Sequence, residues 1–140
     1  MPEENAEVVR AAFQAWNELR MDDLRELYDP DTTILSFLDG WPEQGPAVGR
    51  EAVMRQWQRQ RETWDTDTLE PVSEFIEAGD RVAVRVLWRA SGRGPEMNME
   101  FTGIYTVRNG KILFLEHFWD HSKALAALGK QPGQDHQAPG

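Results

Sequence analysis

Cysteine is absent from the 140 residues, which removes disulfides, thiolate nucleophiles and cysteine-based zinc sites and fits a reducing compartment. Basic charge is scarce: 15 Lys and Arg stand against 24 Asp and Glu, a net charge of −9. That balance repels phosphate backbones and anionic lipid, so neither nucleic acid nor a membrane is expected as a partner. No stretch approaches the roughly 18 consecutive apolar residues of a membrane span. The start, Met1-Pro2-Glu3-Glu4-Asn5-Ala6-Glu7, lacks the basic and apolar regions of a signal peptide and the arginines of a transit peptide, so a cytoplasmic protein is expected. Histidine occurs at 117, 121 and 136 only, without convergent spacing, and no glycine-rich phosphate loop is present. No metal, nucleotide or other cofactor is expected.

What is there suits one globular domain, with 40% apolar residues and six Trp. Residues 4–19 place Val8, Val9, Ala12, Phe13, Trp16 and Leu19 at helical spacing. A short helix over 22–28 ends before Asp29-Pro30-Asp31. A strand over 32–38 follows, then a Gly- and Pro-rich loop over 39–49 carrying Trp41, then a helix over 50–64 through Val53, Met54, Trp57 and Trp64. Beyond residue 68 the period changes to two: a strand over 69–77, a second over 81–90, turns at 78–80 and 91–96, and a final short helix over 122–128 closed by Gly129. Helices first and an antiparallel meander after predict an α+β fold, with one domain over 1–129 and a disordered tail over 130–140.

The strongest local signal is Asn109-Gly110 between two β-branched and aromatic runs, a type I′ hairpin. An uninterrupted two-residue hairpin pairs Val107 with Ile112, Ile104 with Leu115, Thr102 with His117 and Glu100 with Trp119. One face then holds Glu100, Thr102, Ile104, Leu115, His117 and Trp119, and it is read as the wall of a ligand pocket. The other holds Phe101, Tyr105, Ile112, Phe114 and Phe118, an apolar patch expected to form a homodimer through the outer sheet face. Val84, Val86 and Trp88 point inward on the strand before, while Arg81, Arg85 and Arg89 read as a solvated or dimer-rim stripe.

Phe13-Gln14-Ala15-Trp16-Asn17, the stretch 22–31, Gly49-Arg50-Glu51-Ala52-Val53, Ala78-Gly79-Asp80-Arg81-Val82, Asn109-Gly110-Lys111-Ile112, Phe118-Trp119-Asp120 and the Ala-rich 124–129 together resemble the SnoaL-like branch of the nuclear transport factor 2-like superfamily. The resemblance covers residues 5–129. It implies a cystatin-like cone, with N-terminal helices packed in a strongly curved antiparallel sheet, a deep apolar pocket, and often a dimer through the outer face. Members include polyketide cyclases, ketosteroid isomerases and proteins without catalysis, so the fold leaves function open. Carried over by position, the isomerase general base falls on Ser36, its oxyanion tyrosine on Ala12 and its protonated aspartate on Thr102; none is retained. The cyclase acid/base aspartate falls on Asp120, and its histidine partner on Thr106. The Asp-Arg-Asp set of the epoxide hydrolases finds no counterpart.

Two readings stand side by side. In one, a small apolar or cyclic molecule binds in a pocket walled by Trp16, Ser36, Val84, Val86, Trp88, Thr102, Ile104, Leu115 and Trp119. His117 is then the general base, assisted by Glu100 or Asp120, in cyclase- or isomerase-like chemistry. In the other, the same cavity serves a non-catalytic ligand-binding or dimeric accessory protein, His117 is a wall histidine, and Asp120 caps the last helix. Trp16, Trp57, Trp64, Trp88 and Trp119 read first as core residues, with Trp88 and Trp119 paired as an aromatic wall.

Overall fold

The computed structural model describes residues 2–35, 46–92 and 94–129. Ser36, most of the 39–49 loop and the 130–140 tail lie outside the described residues.

Helix α1 (Pro2–Asn17) buries Val9, Ala12, Phe13 and Trp16, the stripe its spacing predicts. Its end is a Schellman turn. Arg20 N–H donates to the Ala15 carbonyl (2.8 Å) and Leu19 N–H to that of Trp16 (3.2 Å), with Leu19 at φ 62 in the position glycine usually holds. Leu19 is therefore 69% exposed and not a core residue. Helix α2 (Met21–Glu26) is shorter than expected. Tyr28 already belongs to strand β1 (Tyr28–Leu35), which runs through Pro30. Strand β2 (Pro46–Val48) rises from within the expected loop, helix α3 (Arg50–Thr63) follows, and β3 (Thr66–Pro71) and β4 (Ile76–Ala78) divide the single strand expected there. Strands β5 (Arg81–Gly92) and β6 (Gly94–Arg108) continue into the predicted turn at 91–96, and β7 (Lys111–Phe118) and α4 (His121–Ala127) close the chain.

The strands form one mixed sheet in the order β2-β1-β7-β6-β5-β3, with β4 also paired to β5 and with β1 and β7 parallel. It is curved and not closed into a barrel. Helices α1, α2 and α3 fill its concave side, where Val9, Phe13, Trp16, Leu24, Val53 and Trp57 share one core with Val82, Val84, Val86 and Trp88. This is the expected α+β cone.

The hairpin turn is as predicted, with Asn109 at φ 55 and Gly110 at φ 75. The register beyond it is not. Val107 faces Ile112, but Thr106 faces Phe114, so Leu113 is an extra residue, a β-bulge. Beyond the bulge Ile104 pairs with Glu116, Gly103 with His117 and Thr102 with Phe118. Because side chains alternate, one inserted residue exchanges which set of β6 residues shares a face with the part of β7 that follows. His117 and Leu115 still point inward, now beside Phe101, Gly103 and Tyr105.

The outer face carries Thr102, Ile104, Thr106, Glu116 and Phe118, and α4 lies on part of it. Ala124, Ala127 and Leu128 pack on Ala83, Ile104 and Phe118. Arg81, expected in a solvated stripe, is buried beneath that helix. It donates to the Ala127 and Leu128 carbonyls (2.9 Å each) and pairs with buried Glu116 at 2.6 Å, setting positive charge against the negative end of α4. The apolar patch expected on the outer face is divided: Phe101, Tyr105 and Ile112 are core, Phe118 lies on the outer face under α4, and Phe114, opposite Thr106, is half-buried on that same face.

Candidate functional site

The site grows from the rung on which β6 and β7 bring Gly103 opposite His117. His117 is 5% exposed. The Phe101 ring meets it edge-on at 5.1 Å between centroids, and Trp57 of α3 meets it at 6.4 Å and 67°. Trp57 in turn stands edge-on to Trp16 of α1 at 5.9 Å, and Phe13 edge-on to Tyr105 at 5.8 Å. Such tilted pairs suit the ring quadrupoles and hold each other in place. They wall a cavity of about 40 Å³, which Tyr28, Trp88 and Leu115 also line.

Besides the indoles of Trp16, Trp57 and Trp88, the described lining residues with polar side chains are His117, Tyr28, Tyr105 and Gln60. Burial pushes the Tyr28 phenol well above its ordinary value. The Trp57 indole opposes this in part, although it makes no hydrogen bond of ordinary geometry there. Burial likewise raises Tyr105, and the nearby Tyr28 adds to the effect. Both phenols thus stay protonated, each with an O–H able to donate. Among the described lining residues His117 carries the one imidazole.

At the rim, Asp67 of β3 is fully buried. Arg61 donates to it at 2.5 Å, the Trp88 indole N–H at 2.9 Å and the Gln60 amide at 3.4 Å. Arg61 also bonds the Trp16 carbonyl at the end of α1 and lies 4.0 Å over the Trp16 ring. This network fixes α1, α3, β3 and β5 around the cavity. Its charge is internally neutralised, which is the condition for burying it.

Of the residues expected at the site, Trp16, Trp88, Leu115 and His117 line the cavity. Val84 and Val86 are buried in the core behind it. Glu100 does not assist His117: it lies on the outer face, half exposed, in a 2.9 Å ion pair with Arg85. Asp120 is the N-cap of α4, accepting from Ser122 N–H (2.8 Å) and Lys123 N–H (3.3 Å). Thr102 and Ile104 point away from the cavity, Thr102 bonding the His121 ring Nδ1 at 2.8 Å and Ile104 packing under α4. Trp119 is 43% exposed and forms no wall with Trp88. The Leu113 bulge is the common cause on β6. Sequence reasoning missed Tyr28, absorbed into a helix, and Tyr105, placed on the wrong face. It also missed Asp67, whose partners come from two separate elements, α3 and β5.

The family model of the SnoaL-like domain matches residues 9–115. The chain belongs to the SnoaL-like family. No curated protein matches it. Among solved structures, Bal32a from a soil-derived mobile gene cassette superposes with a TM-score of 0.77 at 22% identity, over 92% of this chain and 98% of that one. IdmH of Streptomyces antibioticus, a candidate polyketide cyclase, gives 0.69 at 25% identity over 90% and 99%. A ketosteroid isomerase-like protein of Catenulispora acidiphila, in complex with trimethylamine, gives 0.70 at 18% over 95% and 98%. This SnoaL-like chain thus shares the nuclear transport factor 2 and ketosteroid isomerase fold. Among its described residues no helix is long and apolar enough to cross a membrane.

Proposed function

We propose that this SnoaL-like protein binds a small apolar or cyclic molecule in the aromatic cavity and that His117 moves a proton on it, a cyclase- or isomerase-like reaction. The observation that supports this is the position of His117. It is an inward imidazole on an apolar wall, beside two phenols that stay protonated. An imidazole beside a bound carbon acid can take its proton while a neutral phenol donates to the oxygen that gains charge. Family membership and the likeness to IdmH favour the same class of chemistry.

The non-catalytic reading has its own support. Among the described residues no carboxylate lines the cavity, and Glu100 and Asp120 are both engaged elsewhere. Exchange of α-protons of cyclic ketones in D₂O separates the two, whatever the natural substrate. Catalysed exchange that falls about 10²–10⁴-fold in His117→Gln supports acid/base function. Binding without exchange leaves a ligand carrier.

A further inference from the structure

A glycine in mid-strand is destabilising relative to alanine, so Gly103 in the buried centre of β6 requires a reason. A Cβ placed there would lie 2.8 Å from Cε1, 3.1 Å from the hydroxyl and 3.2 Å from Cζ of Tyr105. The Tyr105 phenol therefore lies flat along its own strand, over the residue two before it, in space only glycine leaves open. Phe13 holds the ring edge-on from α1. Gly103 is also the direct partner of His117, and opposed Cβ positions across such a pair stand about 4.5–5.5 Å apart. The folded ring thus carries its hydroxyl to the rung of the imidazole, and both line one cavity.

We infer that the Tyr105 hydroxyl and the His117 imidazole form a two-point subsite for one carbonyl oxygen and its neighbouring carbon, in a ketone no larger than a single ring, and that Gly103 is the residue that creates it. This rests on the reading of the cavity as a ligand site. The phenol donates its hydrogen bond to the carbonyl oxygen, and the imidazole faces the adjacent carbon. Size follows from the walls. An apolar cavity of about 150 Å³ admits benzene, so at about 40 Å³ one small ring already requires the aromatic walls to give, and a fused three-ring system requires them to give much further.

The test is titration of the whole chain with cyclopentanone, cyclopentene and anthrone, followed by protein NMR. Wild type is expected to prefer cyclopentanone to cyclopentene and to ignore anthrone. Tyr105→Phe, which keeps the ring, should weaken cyclopentanone about 2- to 12-fold, the share of one ordinary hydrogen bond, and leave cyclopentene unchanged. Gly103→Ala should abolish the ketone preference if it folds, and Tyr105→Phe decides the matter if it does not. Failure of cyclopentanone to bind, tighter binding of anthrone, or a Tyr105→Phe variant with the wild-type ketone preference would overturn the subsite. The proton-transfer reading fails separately, through unchanged exchange in His117→Gln while the ketone preference still depends on Tyr105.

Discussion

The chain has two tyrosines, and both stand in the cavity wall with phenols held above the ordinary value of 10.0. Unfolded, each ionises near that value; folded, each keeps its proton. Their contribution to stability is therefore complete below about pH 10 and declines above it, by about 1.4 kcal/mol per pH unit for each tyrosine. Alkaline titration should show tyrosinate absorbance rising only as the chain unfolds, and a phenol titrating normally in the folded protein would contradict the buried wall. Asp67 offers a second check. Asp67→Ala strands the Arg61 guanidinium and the Trp88 indole in the interior, and breaking a buried pair on one side costs about 3–5 kcal/mol. Denaturant unfolding should record a loss of that size, and a loss under about 1 kcal/mol would show that water replaces the carboxylate.

Among the elements, α4 separates a structural from a catalytic aspartate. Asp120→Ala removes an N-cap and should cost about 0.5–2 kcal/mol in thermal unfolding while leaving proton exchange at the cavity unchanged; lost exchange at retained stability would return Asp120 to the chemistry. The hairpin shows what a sequence discloses and what it withholds. Its turn was legible because Asn109-Gly110 demands left-handed backbone. Its faces were not, because both alternate sets on β6 and β7 are largely apolar, and a bulge at Leu113 leaves no trace in a pattern that reads acceptably in either register. His117 was placed inward correctly, but Thr102 and Glu100 were matched to it by a register that ends two rungs from the turn, at Val107 and Ile112. The buried helical stripes of α1 and α3 needed no such information, since Phe13, Trp16, Val53 and Trp57 each reveal their face by spacing alone.

In the molecule as a whole, the two sides of the sheet have separate tasks. The concave side, covered by three helices, holds every aromatic and polar group of the cavity. The convex side is partly covered by α4, pinned by Asp120 at its start and Arg81 at its end. Cone and family were readable from the order of motifs; the composition of the site was not, because Tyr28 and Tyr105 come to one cavity, and Asp67 to Arg61 and Trp88, only after the sheet curves. In the proposed function His117, set in that cavity, transfers a proton. The measurement that tests it most directly is the rate of α-proton exchange of a bound cyclic ketone by wild type and by His117→Gln, with melting temperature and ketone affinity taken on the same samples. A fall of about 10²–10⁴-fold in exchange with fold and affinity kept is the expected result. Equal exchange in the two proteins, or a loss of about 0.5–3 kcal/mol in stability with no specific change in rate, would show that His117 only completes the wall.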